Sequence, residues 1–229
     1  MPQPPEPPEH KYVPALGFHW LTPFYDLISG GTVRERTFKR ALIDQADLEP
    51  GQRVLDLGAG TGTLTIWIKQ HLPQAEVVGV DYDPAILAKA VAKARESNLA
   101  IRFDRASSFA LPYPAGHFDR ALSSLFFHHL TWDEKVRTAE ELFRVLKPNA
   151  ELHVADWGAA ANPLMRGLFL VVQLFDGFRT TRDNVAGRLV TLFEDAGFVA
   201  VRQRKSYATM YGTLALYSAT RPGDPEEQA

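Results

Sequence analysis

Three glycines at alternate positions, Gly58, Gly60 and Gly62, follow the apolar run Val54-Leu-Asp-Leu57 and open a helical stretch near Thr63. Glycines so placed let the chain turn sharply and let a ligand touch the backbone, while N–H groups at the helix start face it. Asp81 ends the next β-rich run, 19 residues after Gly62. A carboxylate there can accept both hydroxyls of a ribose. Asp56, two residues before Gly58, helps to separate the ligand classes. Dinucleotide loops read G-x-G-x-x-G, whereas this one reads G-x-G-x-G. An acid this close is ill suited to a pyrophosphate and acceptable beside a cation. The segment favours a positively charged nucleoside, with a nicotinamide dinucleotide as the rival.

A second group of polar residues falls where an acceptor would approach: His128 and His129 after the fourth β-rich run, Asp156 and Trp157 at the carboxyl end of the fifth, and His19 and Tyr25 near the N-terminus. His128 is the candidate base or substrate ligand. Adjacent histidines are poorly placed to chelate one ion, and no His-x-x-x-His accompanies them, so no metal is expected.

These residues need a scaffold, and the pattern supplies one. Strands are expected at 53–57, 76–81, 101–105, 118–123, 151–156, 199–207 and 213–220, the first five separated by helical stretches. That alternation argues for a parallel sheet covered by helices. Asp83-Pro84 reads as a helix start, Thr131 with Glu134 as a capping box for a helix running to Lys147, and Asp183 or Asn184 as the cap of the helix ending before Gly197. The last two strands are joined by a short link and should pair antiparallel at one edge. Residues 1–14, with six prolines, read as a disordered arm, and 221–229 as a disordered tail. A single domain is expected over 15–220. Two aromatic-rich stretches, 15–48 and 157–182, stand outside the alternation as covers. The second leaves the carboxyl end of the fifth strand, where open α/β sheets bind ligands.

Composition narrows the chemistry. The 229 residues carry no cysteine, which excludes disulfides, thiolate ligands and thiolate nucleophiles. The formal charge of −2 gives no sign of a nucleic-acid partner. No apolar run approaches the roughly 20 residues needed to span a bilayer. The N-terminus lacks the basic-then-apolar pattern of a signal peptide. A cytoplasmic protein is expected.

In four segments, VLDLGAGTG, VVGVDYDPAILAKA, ALPYPAGHFDRALSSLFFHHL and ELFRVLKPNAELHVADWG, the sequence resembles the class I S-adenosylmethionine (SAM) methyltransferases, especially the ubiquinone/menaquinone-biosynthesis-like branch. The resemblance spans about residues 20–220. It implies a Rossmann-like α/β fold with a seven-stranded sheet in the order 3-2-1-4-5-7-6, the last strand antiparallel. It implies SAM as cofactor, with Asp56, Gly58, Ala59, Gly60 and Gly62 around its methionine end. Asp81 would bind the ribose diol, Tyr82 would lie against the adenine, and Ser107 and Ser108 would sit at the adenine edge. Ser123 and Ser124 would offer carbonyls to the ammonium. Tyr25, followed by Asp26, resembles a tyrosine that closes over the cofactor and is the second catalytic candidate.

Two positions depart from the pattern. Ser107 stands where relatives often carry aspartate, and Asn149-Ala150 where they carry two glycines; asparagine tolerates the left-handed turn. The absent cysteines exclude the usual cytosine-C5 and arsenite methylations, and Ser123-Ser124-Leu125-Phe126 replaces the Asn/Asp-Pro-Pro-Tyr/Phe of amino-methylating nucleic-acid enzymes. A small, hydrophobic acceptor is expected, such as a quinone precursor or a lipid amine head group. The alternatives are a soluble amine or phenol, or a SAM-binding regulator without turnover. Residues 163–178 are markedly apolar. Between 158 and 207 seven basic residues face four acidic ones. Such a segment could meet an anionic membrane.

Overall fold

Seven strands in the order β3-β2-β1-β4-β5-β7-β6 form one sheet in the computed structural model, which describes residues 34–224. The strands are β1 (Arg53–Leu57), β2 (Glu76–Asp81), β3 (Arg102–Arg105), β4 (Phe118–Ser124), β5 (Leu146–Trp157), β6 (Val199–Thr209) and β7 (Gly212–Thr220). The helices are α1 (Arg34–Ala46), α2 (Thr63–His71), α3 (Pro84–Glu96), α4 (Trp132–Val145), α5 (Pro163–Asp176), α6 (Phe178–Val185) and α7 (Leu189–Asp195). β1 to β5 run parallel, and β7 is antiparallel to both β5 and β6.

The central strands are apolar on both sides, as a parallel sheet covered twice requires. In β1, Val54 joins the core beneath α1, α2 and α5, whereas Leu55 and Leu57 join the core beneath α4 and α7. Successive side chains of a strand point to opposite faces, so three neighbouring apolar residues serve both cores. β6 is the exposed edge. Arg202, Arg204 and Lys205 and two register shifts mark it, features that discourage a further strand from pairing there.

Local signals are realised where expected. The Asp83 carboxylate accepts from the N–H groups of Ala85 and Ile86 at 2.8 and 3.3 Å. The Thr131–Glu134 capping box is complete. Asn149 adopts φ +63°, the left-handed turn that asparagine permits.

Three boundaries differ. α4 ends at Val145, and β5 begins at Leu146, because Phe118 of β4 pairs with Leu146 before a register shift leads on to Glu151. Asp183 and Asn184 do not cap the helix before Gly197: they lie buried inside α6, and that last helix, α7, starts after Arg188. Arg221, assigned by sequence to the tail, exchanges backbone bonds with Asn149 and Ala150 and donates to the Arg144 and Leu146 carbonyls. Of the first cover only 34–48 is described. There α1 buries Phe38, Leu42, Ile43 and Ala46 against the sheet. The 1–14 arm, His19 and Tyr25 lie outside the described residues.

Candidate functional site

At the carboxyl ends of β1 and β2 the chain builds a cradle from backbone. Gly58, Gly60 and Gly62 all have positive φ (71°, 54° and 75°), which glycine adopts without a Cβ penalty. Gly58 and Ala59 donate to the Val80 carbonyl at 2.9 Å, so the loop is pinned to β2. The Asp81 carboxylate accepts from the Gly60 N–H at 2.9 Å and from the Asp83 N–H at 3.1 Å. Each carboxylate oxygen has a second lone pair, so these bonds leave acceptor capacity for a diol. Burial pushes Asp81 above its ordinary pKa, against the pull of its backbone N–H partners.

The three glycines are not equivalent. A Cβ at Gly58 would meet the Phe126 ring at 2.4 Å, so its smallness serves the protein's own packing. A Cβ at Gly60 would meet nothing within 4 Å. Gly60 thus leaves open exactly the kind of backbone approach a bound ligand needs. Asp56 is fully buried and accepts from Thr65 Oγ1 at 2.6 Å; burial raises its pKa to about 6.

The other expected cofactor residues surround this cradle. Ser123 donates to the Leu57 carbonyl at 2.9 Å, tying β4 to β1. The buried Ser124 hydroxyl has no partner among the described residues, and Leu125 beyond it takes φ +56°. An orphaned hydroxyl and a strained residue at a strand end fit a group that the described residues alone do not satisfy. Ser108 is turned to α4, 2.8 Å from Thr138 Oγ1, so only its backbone can face the cradle. Ser107 sits in the same turn, bridged to Ala110. Tyr82 is exposed, with the Arg105 guanidinium 5.4 Å from its ring centroid.

Across the sheet edge a second cluster is made of side chains. A 3-10 turn, Phe127–His129, carries the two histidines. Asp156, fully buried at the end of β5, faces His128 Nδ1 at 2.9 Å. It also accepts from the N–H groups of Phe126 and Trp157, at 3.1 and 2.7 Å, and from Asn184 Nδ2 at 3.1 Å. His128 Nε2 lies 3.6 Å from Asp176 Oδ2, on the last residue of α5. Burial alone would discharge His128, but Asp156 and then Asp176 outweigh it and hold its pKa above the ordinary value. His129, with its ring centroid 4.0 Å from that of His128, is driven well below its ordinary pKa by burial and by the His128 and Lys135 cations. Lys135 of α4 donates to the Thr180 carbonyl at 2.5 Å and lies 3.9 Å from Asp183; burial lowers its pKa to about 8.

Sequence reasoning singled out His128, His129, Asp156 and Trp157 but missed Asp176, Lys135 and Asn184. It also argued against a metal from the adjacency of the histidines. The 3-10 turn weakens that argument, since His128, His129 and Asp176 bring one ligand-type atom each within 4.8 Å of one another. The Lys135 cation, close enough to depress His129, weighs against a metal ion there.

The comparisons with known proteins agree with this layout. Residues 54–149, which hold the glycine loop, Asp81 and both histidines, match a family model described as a methyltransferase domain. A ubiquinone/menaquinone biosynthesis C-methyltransferase UbiE from Syntrophotalea carbinolica is 30% identical over 230 residues, covering 90% of this chain and 94% of that protein. The chain belongs to the class I SAM-dependent methyltransferases, in the UbiE-like branch.

Demethylmenaquinone methyltransferases of Thermus thermophilus and Deinococcus radiodurans are 37% and 32% identical over 61% and 66% of this chain; the chain spans 64% and 63% of their lengths. Among solved structures, YcgJ of Bacillus subtilis superposes with a TM-score of 0.70 at 16% identity, covering 82% of this chain and all of that one. A SAM-dependent methyltransferase of Methanosarcina mazei gives 0.65 at 22%, covering 80% and 98%. The [4+2]-cyclase SpnF gives 0.69 at 18%, covering 89% and 94%. That likeness shows the fold alone, and the cyclase illustrates that one fold hosts different reactions. SAM is the cofactor of the family, and the open Gly60 backbone, the Asp81 carboxylate and the orphaned Ser124 hydroxyl fit it.

Proposed function

We propose that this UbiE-like chain moves the methyl group of SAM to a ring carbon of a lipophilic quinol, of the kind the demethylmenaquinone methyltransferases are named for. The observation that carries the reading is the UbiE relationship over 94% of the relative's length, which takes in the apolar second cover as well as the cofactor loop. SAM, when bound, supplies an electrophilic methyl group on a sulfonium. The protein's part is to align, to exclude water and to manage a proton.

The roles extend the family resemblance to this chain's residues, and the geometry of the described ones supports them. Asp56, Gly58, Ala59, Gly60 and Gly62, with Ser123 and Ser124, take the methionine end of the cofactor, Asp81 its ribose, and Tyr82, Ser107 and Ser108 its adenine side. The buried face of α5, carried by Met165, Phe169 and Val172, shields the acceptor together with α6. His128 is a positioning residue: it is buried, and both ring nitrogens already face carboxylates. His129 is uncharged beside it and free to accept the proton released when the ring carbon is alkylated, but burial and the neighbouring cations make it a weak base, suited to pass the proton on and not to keep it. Tyr25 keeps its expected role of closing over the cofactor. Methyl transfer of this kind requires no metal.

The test is radiolabelled methyl transfer from SAM to a short-chain demethylmenaquinol under reducing conditions, beside soluble catechols and amines. Label on the quinol ring carbon is the expected result. Label only on soluble amines or phenols would overturn the acceptor, and SAM binding without transfer to any acceptor would mark a regulator.

A further inference from the structure

The solvent side of α5 is apolar where a covering helix should be polar. The inner face buries Met165, Phe169 and Val172, with Phe169 against Trp157 and within 3.0 Å of where a Gly212 Cβ would lie. On the opposite face Leu164, Leu170, Val171, Leu174 and Phe175 are exposed, Leu174 to 73%, and Phe178 at the start of α6 continues the stripe. At 1.5 Å per residue, Leu164 to Phe175 extends about 16 Å. The polarity is partly inverted, since Gln173 and Asp176 point inward. A helix apolar all round is expected to be buried on every side, and a contiguous exposed stripe of this kind marks an interaction surface.

The charges around the stripe identify the partner. Residues 157–187 carry two acids, Asp176 and Asp183, and both side chains are buried. Every exposed charge in that segment is an arginine: Arg166, Arg179 and Arg182. A second copy related by a twofold axis would set these arginines against each other, whereas an anionic lipid surface complements them. None of the described helices is long and apolar enough to cross a bilayer, so the contact is peripheral.

We propose that the outer face of α5, continued by Phe178 and rimmed by Arg166, Arg179 and Arg182, docks on an anionic lipid bilayer. The inference rests on the lipophilic-acceptor reading for its purpose, because a helix that covers the acceptor site and lies on the membrane can admit a quinol without passage through water. Apolar side chains would enter the headgroup boundary while the arginines meet lipid phosphates.

Full-length protein is to be sedimented with phosphatidylcholine vesicles and with vesicles containing phosphatidylglycerol, at low and high salt. Binding to the anionic vesicles that weakens with salt is expected. L174E/F175E should lower that affinity at least about tenfold by removing buried apolar area. R166Q, R179Q and R182Q should each lower it by about fivefold, the effect of one basic residue near such a surface. SAM titration of each variant shows that it is folded. Methyl transfer to a soluble short-chain quinol is expected to persist in all of them, so failure of docking and failure of the acceptor reading are separable. Absence of wild-type binding to anionic vesicles would overturn the proposal, as would a dimer in light scattering that L174E/F175E dissolves.

Discussion

The two halves of the site are built by opposite means. On the cofactor side, the stretch from Arg53 to Pro84 supplies most of the cradle, and it works mainly through backbone: three left-handed glycines and the Val80 carbonyl, with one side chain, the Asp81 carboxylate on the Gly60 N–H. On the side proposed for the acceptor, Asp156, His128, Asn184, Asp176 and Lys135 come from β5, the 3-10 turn, α6, α5 and α4, and they work through buried side chains. A loop held by backbone is specified locally and tolerates change in its surroundings. A network held by charges buried among five elements depends on every one of them.

The largest effect is expected on the acceptor side. Asp156→Ala strips Phe126, Trp157, Asn184 and His128 of a shared acceptor. Breaking a buried charge network from one side costs about 3–5 kcal/mol. Urea denaturation should show that loss, while SAM affinity, measured by calorimetry on the folded variant, falls far less. If affinity collapses in step with stability, the two halves are one cooperative unit and the contrast fails.

The glycines give the next test, because they separate packing from ligand approach. Gly58→Ala meets Phe126 at 2.4 Å and must hold φ +71°. Overpacking at about 1–3 kcal/mol and left-handed strain at about 1–2 kcal/mol add to roughly 2–5 kcal/mol of lost stability. Gly60→Ala bears only the strain, since nothing lies within 4 Å of its Cβ. It should lose only that strain, about 1–2 kcal/mol, which is less than Gly58→Ala loses, yet bind SAM poorly. Equal stability losses in the two variants would mean that Gly60 is packed after all.

Asp81→Ala should weaken SAM by about 10–100-fold, equivalent to roughly 1–3 kcal/mol for polar partners left unpaired. Gly60 and Asp83 lose acceptors as well, so a small loss of stability accompanies it. Unchanged affinity would refute the ribose assignment.

How much could be read from the sequence follows the same division. The bounds of β1 and β2, the Asp83-Pro84 helix start and the glycine loop were all legible, because each depends on residues within a few positions. Sheet order was legible too, through the family resemblance. The acceptor side was half legible. His128 and Asp156 were recognisable as polar residues at strand ends, but their contact joins residues 28 apart. Asp183 and Asn184 looked like helix caps, since Asp and Asn satisfy N-terminal N–H groups so well. Tertiary packing used them differently: Asn184 donates to Asp156, and Asp183 receives Arg188 at 2.9 Å. Nothing in the local pattern sets Lys135 apart from the other charges of its helix, yet it is fully buried. Its position depends on α6, which no local pattern around residue 135 encodes.

The smallest effect concerns the proton on His128. Its folded pKa lies above the ordinary 6.5, held there by Asp156 and Asp176 against burial. The stabilisation it brings is therefore complete below about pH 6.5, the unfolded value, and is lost as pH rises through the folded value. Lys135 works the other way. Its pKa is lowered to about 8 from an ordinary 10.5, so the folded state gains relative stability as pH rises past 8. Between pH 6.5 and 8 Lys135 is silent, and His129, neutral in the folded state, adds only the rise left as its unfolded imidazole discharges, so the difference between wild type and a His128 variant isolates His128. Across that window the melting temperature of the wild-type protein should decline relative to that of His128→Gln, which keeps a donor for Asp156 but cannot titrate. Lys135→Met should leave that decline in place and remove the recovery above pH 8. Parallel curves for wild type and His128→Gln between pH 6.5 and 8 would mean that the proton does not join α5 to the sheet, and that the acceptor side is held, like the cofactor side, by neutral hydrogen bonds.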